Sequence, residues 1–279
     1  MKIWAHTLVK NEEKYLWYAV SSVIKHVDKL LLWDTGSTDG SLRIAKGLKE
    51  KFSEKIDLKQ VTLGGAEEFP KIRQKMLDVT DANWFIMVDG DEVWWEGSIR
   101  KVVETIETYS KEAESIVVPT VYPVGDIYHR QEEAAGKYQL AGKKGHFALR
   151  AVNRKIPGLS SSNPHGTWGW TDGEGKMIQD REPKKIVFVD APYLHFSLLP
   201  RAGERSEDEK VIKRAQKLKH ELGTPFPKDY YYPEVFFRPR PDSVPSPWKR
   251  MDTKFLIKSA IETPPRKIKR RIWPGGVGY

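Results

Sequence analysis

Three acidic clusters in this chain each follow a short apolar run. Asn11-Glu12-Glu13 follows KIWAHTLV at residues 2–9, Asp34 to Asp39 (DTGSTD) follows residues 29–33, and Asp89-Gly90-Asp91-Glu92 closes NWFIMVDGDE. Carboxylates one residue apart offer oxygen ligands to a hard divalent cation, manganese or magnesium rather than zinc or copper. A cation held there can neutralise charge building on a phosphate. Gly90 leaves room for close approach. Asp34, ending its apolar run, can accept hydrogen bonds from a base or ribose. The plainer alternatives are a turn for Asp-Gly-Asp, a helix cap for Asp39 and a favourable first-turn charge for Glu12. Asp34-Thr35-Gly36 also opens the aspartic-protease pattern, but that chemistry needs two aspartates sharing a proton in an almost wholly β fold, and the triplet occurs once.

The elements that must position these acids alternate. Residues 2–9 read as a strand, and Leu16, Ala19, Val20, Val23, Ile24 and Val27 keep the spacing of a core-facing helix with Asn11 as its N-cap. Residues 29–33 read as a second strand, Ser37 or Thr38 as the cap of a helix carrying Leu42, Ala45 and Leu48, and IDLKQVTL as a third strand. Phe69 to Thr80 reads as a helix and NWFIMV as a fourth strand. Such alternation predicts an α/β fold, a Rossmann-like αβα sandwich with a mostly parallel sheet, in which ligands bind beyond the carboxyl ends of the strands. All three acidic clusters fall at those ends and should converge on one edge. Further on, Glu96 to Ser110 reads as a helix, Ser115 to Val121 as a strand, 122–146 and 157–176 as irregular segments, and KKIVFVDAPYLHFS as a strand ending near His195. Ser206 to Glu209 reads as a capping box opening a helix with Val211, Ile212, Ala215, Leu218 and Leu222 inward and Gly223 as its stop. Pro225 to Pro265 reads as an extended wrap. This division gives residues 1–200 as the α/β domain and 201–279 as a C-terminal helix with a proline-rich basic extension.

Composition narrows the partners. At 279 residues, 39% hydrophobic and 30% charged, the chain can bury a substantial core, and its ten tryptophans promise broad aromatic surfaces. With no cysteine, disulfide and thiolate chemistry are excluded. No apolar run approaches the ~18 residues of a membrane span, and MKIWAHTLVKNEE reaches charge too soon for a signal peptide, so a cytoplasmic protein is expected. A net charge of +9 favours anionic partners. Arg266, Lys267, Lys269, Arg270 and Arg271 concentrate the excess near the end, as a solvated tail or a patch meeting anionic lipid at the inner face of a membrane. A nucleic-acid-binding protein is the competing reading of this charge. No helix–turn–helix or aromatic RNA-binding signature supports it, and nucleic acid is not an expected partner.

Taken in order, VKNEEKYL, WDTGSTDGS and EEFPKIRQKMLDVTDANWFIMVDGDE resemble the nucleotide-binding half of family-2 glycosyltransferases with the GT-A fold. The branch carrying Asp-Thr-Gly-Ser-Thr-Asp-Gly is the most similar. The resemblance covers residues 1 to about 95 well, 96–200 loosely and the last 80 hardly at all. It implies a metal-dependent, inverting transfer of a sugar from a nucleoside-diphosphate sugar, a UDP-sugar in many relatives, to a glycan or lipid-linked acceptor. It implies a nucleotide-sugar pocket lined by Val9, Asn11, Glu12, Asp34, Gly36, Arg73, Asp89 and Gly90. It also implies a manganese or magnesium site at Asp91, with Asp89 and His195. Thr35 departs from the pattern, standing where many relatives have a second aspartate that reads the base. His165, Trp168 and Trp170 fall where an acceptor should sit, and tryptophan faces suit sugar rings. Relatives often place an acid directly after a histidine in this region; Gly166 follows His165 here, which leaves Asp172, then Glu174, as candidates for the carboxylate that takes the acceptor's proton. A nucleotidyltransferase on a similar fold would need a Gly- and Lys/Arg-rich phosphate loop after the first strand, where this chain is acidic.

Overall fold

The protein is described from a computed structural model, for residues 1–164, 167–212, 214–218 and 220–272. The first strand, β1 (Ile3–Val9), is buried at every position, as a strand covered on both faces must be. β2 (Lys29–Asp34), β3 (Ile56–Gln60) and β4 (Trp84–Met87) lie parallel to it in the order β3-β2-β1-β4. Helices α1 (Leu16–Val23), α2 (Ser41–Lys51) and α3 (Phe69–Asp78) make the connections. Val20, Val23, Leu30, Leu32, Ile44 and Leu48 belong to the main core, while Trp4, Leu8, Leu31, Trp33, Ile72 and Met76 pack together as a second cluster. The expected β-α-β-α-β-α-β half is therefore present. Its third strand is shorter than IDLKQVTL, ending at Gln60.

Two caps differ from expectation for one reason. α1 starts at Leu16, and Asn11 instead adopts a left-handed conformation (φ 54°), which asparagine tolerates. Its backbone N–H donates to Ser37 Oγ (2.9 Å) and its Oδ1 accepts the Thr38 N–H (2.7 Å). Ser37 and Thr38 are thus spent on fastening two loops together. Ahead of α2, whose N-cap is Gly40, Asp39 Oδ1 accepts the Ser41 N–H at 2.9 Å.

The second half departs further. β5 (Glu92–Trp94), α4 (Glu96–Tyr109) and β6 (Ser115–Val121) lead to four short strands, β7 (Pro123–Val124), β8 (Asp126–Arg130), β9 (Tyr138–Leu140) and β10 (Lys143–Gly145), which pair as hairpins inside the segment expected to be irregular. β11 (Phe147–Asn153), which the sequence reading passed over, then inserts antiparallel between β4 and β6. A bulge between Leu149 and Ala151 interrupts its pairing at Arg150, a common device for re-aiming a side chain. β12 (Ser160–Ser162) and β13 (Gly169–Thr171) form another hairpin. The late strand is two pieces, β14 (Ile186–Phe188) and β15 (Tyr193–His195), both parallel to β6, and β15 also pairs with β5. Among the described residues the sheet has nine strands.

The helix expected from Ser206 is only α5 (Arg205–Glu209) and α6 (Arg214–Lys217), and its capping box is Glu204 with Glu207. Ala215 is exposed and Arg214 is buried. The inner side of this turn faces acids rather than an apolar core, which reverses the expected pattern. β16 (Thr224–Pro225) joins β8, and an aromatic cluster of Phe226, Tyr230, Tyr232, Phe236 and Trp248 packs the wrap against the body. The wrap does not stay extended: α7 (Thr253–Ile272) is a 20-residue helix running through Pro264 and Pro265.

Candidate active site

β1 and β2 run in register with Val9 beside Asp34, and β4 lies on the other side of β1. Their ends therefore meet. Val9, Glu12, Thr35, Asp89, Gly90 and Asp91 line one cleft of about 910 Å³, together with Arg73, Arg150, His195 and Arg201. A Cβ at Gly90 would lie 2.9 Å from Glu12 Cγ, so the close approach this glycine permits is that of the Glu12 side chain.

Glu12, Asp89, Asp91 and Glu92 each have a guanidinium, whereas the buried Asp34 has none among the described residues. Arg73 Nη2 donates to Asp89 Oδ1 at 2.8 Å, Arg150 pairs with Glu92, and Arg201 Nη1 contacts Asp91 Oδ2 at 2.5 Å and Glu12 Oε1 at 3.1 Å. Arg214 pairs with Glu12 and, at 3.1 Å, with Asp208. Burying a carboxylate is costly unless it is paired, and this cost shapes the protonation of the cluster. Burial alone would raise Asp91, but Arg201 and then His195 hold it far below the usual carboxylate range. The same contest, with Arg73 and Arg150 opposing burial, leaves Asp89 below its ordinary value. Burial prevails at Glu92, raised well above the usual range despite Arg150, and pushes Glu12 up to about 8 against Arg201 and Arg214. Burial lowers His195, whose Nε2 stands 3.3 Å from Asp91 Oδ2.

Arg73 is held between two rings. Its guanidinium carbon lies 5.3 Å from the Phe69 centroid and 5.2 Å from that of Trp168, an arrangement favourable for a cation. The side chain is 3% exposed, and Nε and Nη1 have no hydrogen-bond partner. Asp34 is equally particular. Its Oδ1 accepts the Gly36 and Ser37 N–H groups, both at 3.0 Å, and shapes a turn in which Gly36 takes a φ of 89° that suits glycine. Its Oδ2 is buried without a partner. Thr35 is buried, and its hydroxyl donates to the Val9 carbonyl at 2.9 Å.

The sequence profile of "Glycosyl transferase family 2" matches residues 6–164, more than half of the chain. The chain belongs to glycosyl transferase family 2. Similar solved structures include S. aureus TarS (13% identity, TM-score 0.45, covering 78% of this chain and 43% of that one) and TarS 1–349 in complex with UDP-GlcNAc (14%, 0.47, 78% and 69%). Glucosyl-3-phosphoglycerate synthase from Mycobacterium tuberculosis, with Mn2+, UDP-glucose and phosphoglyceric acid, is similar at 14% identity and TM-score 0.45, covering 70% of this chain and 71% of that one. This chain thus spans less than half the length of full TarS. No curated protein sequence matches it.

In this chain, several expected site residues stand apart from the cleft. Asn11 is buried as the loop fastener described above, and its Nδ2 also donates to the Glu207 carbonyl at 3.0 Å. Asp172 is committed on both oxygens. Oδ1 accepts the Glu174 and Lys176 N–H groups (3.0 and 2.9 Å), and Oδ2 pairs with Arg181. It braces a loop and is not placed to take a proton from a substrate. Glu174 is exposed on that loop and does not line the cleft. Trp170 is core, with its Nε1–H on Met87 Sδ at 3.0 Å, while Trp168 lines the cleft beside Arg73. His165 lies outside the described residues. The sequence reading missed Arg150, Arg201, Arg214 and Lys217, all of which line the cleft. The signal available was electroneutrality: four acids expected in one buried site require cations from elsewhere in the chain.

Proposed function

We propose that this chain transfers a sugar from a nucleoside-diphosphate sugar, a UDP-sugar, to a hydroxyl of a glycan or lipid-linked acceptor, with inversion and with manganese or magnesium. The observation that carries this reading is Arg73. A buried guanidinium oriented by two aromatic rings, with two nitrogens unsatisfied and one edge on Asp89, is preorganised for phosphate oxygens.

The donor set fits a hard cation shared with the substrate. Among the described residues no three histidines or acids converge on a point. Asp91 and His195 do face each other, and magnesium-type sites commonly use one or two carboxylates plus substrate phosphates and water. Asp91 and His195 would hold the cation, with Asp89 reaching it through water, and the ion would supply neutralisation of the departing diphosphate. Arg201, now on Asp91, and Lys217 are further cations lining the cleft.

The proton acceptor in this reading is Asp180. Of the acids lining the cleft, Glu12, Asp89 and Asp91 are paired, whereas Asp180 is exposed and has no cation partner among the described residues. It ends the turn Ile178–Asp180, fixed on one side by the buried Ile178 and on the other by Arg181, which binds Glu114 and Asp172. The acceptor hydroxyl's proton would pass to Asp180 as its oxygen bonds to the anomeric carbon, and the diphosphate would leave with the electron pair. Incubation with UDP-glucose or UDP-N-acetylglucosamine and Mn2+ is expected to release UDP, slowly with water as the acceptor. A nucleotidyltransferase would instead leave the UDP-sugar intact and release pyrophosphate only from UTP and a sugar 1-phosphate.

A further inference from the structure

Helix α7 is inverted relative to an ordinary surface helix, whose apolar stripe faces the core. Its inner side is polar. Ser259 and Thr263 are buried, Thr263 Oγ1 accepts the Leu222 N–H at 2.7 Å, and Arg270 binds Glu221 (2.6 and 2.7 Å) and Glu132 (3.0 Å). Arg266 pairs with Glu262, the only acid of the helix. The side facing water is largely apolar, with Lys254 at its first turn. Ile257, Ile261, Pro265, Ile268 and Ile272 recur at helical spacing on one face, and the four isoleucines are 59, 71, 56 and 60% exposed. Lys258 and Lys269 flank one margin of this stripe, Lys267 and Arg271 the other. The basic block Arg266–Arg271, read from sequence as one patch, is therefore divided between internal pairing and an outward face.

We propose that α7 docks on an anionic phospholipid surface, lying in its plane with the isoleucines at the headgroup–acyl boundary and the flanking cations on lipid phosphates. Charge selects this occupant. A second copy would press the same cations against each other, and a nucleic acid would meet isoleucines where it needs cations. Among the described residues no helix is long and apolar enough to cross a membrane, so α7 would rest on the surface. Its anchor Glu132 precedes the β9–β10 hairpin, whose Tyr138 lines the cleft, so docking would bring the cleft's rim toward the lipid. The inference goes beyond the transfer reaction and does not depend on it.

The test is sedimentation of the full chain with vesicles of phosphatidylcholine alone or mixed with phosphatidylglycerol. Binding is expected only to the mixed vesicles and should weaken with salt. I257E/I261E should lower partitioning by roughly tenfold or more at unchanged melting temperature. K258Q/K267Q/K269Q/R271Q should lower it and remove most of the salt dependence. No binding to mixed vesicles, equal binding by I257E/I261E, or a lipid-free dimer that I257E/I261E dissociates would overturn the proposal.

Discussion

The two walls of the cleft solve opposite problems. On the donor wall, β1, β2 and β4 end in buried acids, and each carboxylate facing the cleft already holds a guanidinium from β11, α3 or the segment after β15. On the facing wall, Asp180 sits exposed on a braced turn beside Gln179 and Met177, with no cation partner among the described residues. An acid paired in advance is held in place before any ligand arrives. In the proposed reaction the unpaired acid on the braced turn takes the acceptor's proton. The division of labour thus follows from burial and pairing rather than from residue type.

The sharpest way to break this comparison is at Asp180. D180N is expected to reduce sugar transfer by about 10²–10⁴-fold with UDP affinity unchanged, and D180E to restore part of the loss, by steady-state kinetics beside calorimetry. Wild-type turnover in D180N would move the base elsewhere. On the donor wall, R73K keeps the charge but loses the planar fork and should weaken UDP binding by about ten- to a hundredfold in the same calorimetry. Trp168→Leu, removing one of the two rings, should act in the same direction by a smaller factor.

The smallest effect concerns the support beneath the donor wall. His6 is fully buried on β1, stacked on Phe85 at 4.5 Å, with Nε2 2.7 Å from Thr80 Oγ1. Burial, then the nearby Arg73, lowers its pKa to about 3. Because the folded value lies below the unfolded one, stability is present above about pH 6.5 and is lost as pH falls toward 3. Between pH 7 and pH 5.5 this amounts to about 1 kcal/mol, a slope in denaturant melts that H6Q should flatten.

The acids of the donor wall were legible in the sequence because the elements that carry them are local. Apolar runs with helical segments between them define strands, and the parallel rule places their ends together. The facing wall was not. Asp172 and Asp180 are both acids on a polar stretch, and what separates them is Arg181, which binds one and leaves the other free. β11 was overlooked because Arg150 interrupts FALRAVN, and that interruption is functional: the bulge presents the arginine that Glu92 needs. Arg214 sits where a helix was expected to turn apolar residues inward, and Arg201 lies just ahead of it; the convergence of acids across the chain accounts for their burial.

Calorimetric titration of UDP with and without Mn2+, on wild type and D91N, tests the central claim most directly. A diphosphate brings negative charge to a site that already holds Asp89 and Asp91, so a divalent cation is expected to offset it. Mn2+ should tighten UDP binding by about tenfold or more in the wild type and have no effect in D91N. UDP binding of equal strength in a chelator, or an undiminished Mn2+ effect in D91N, would contradict the account.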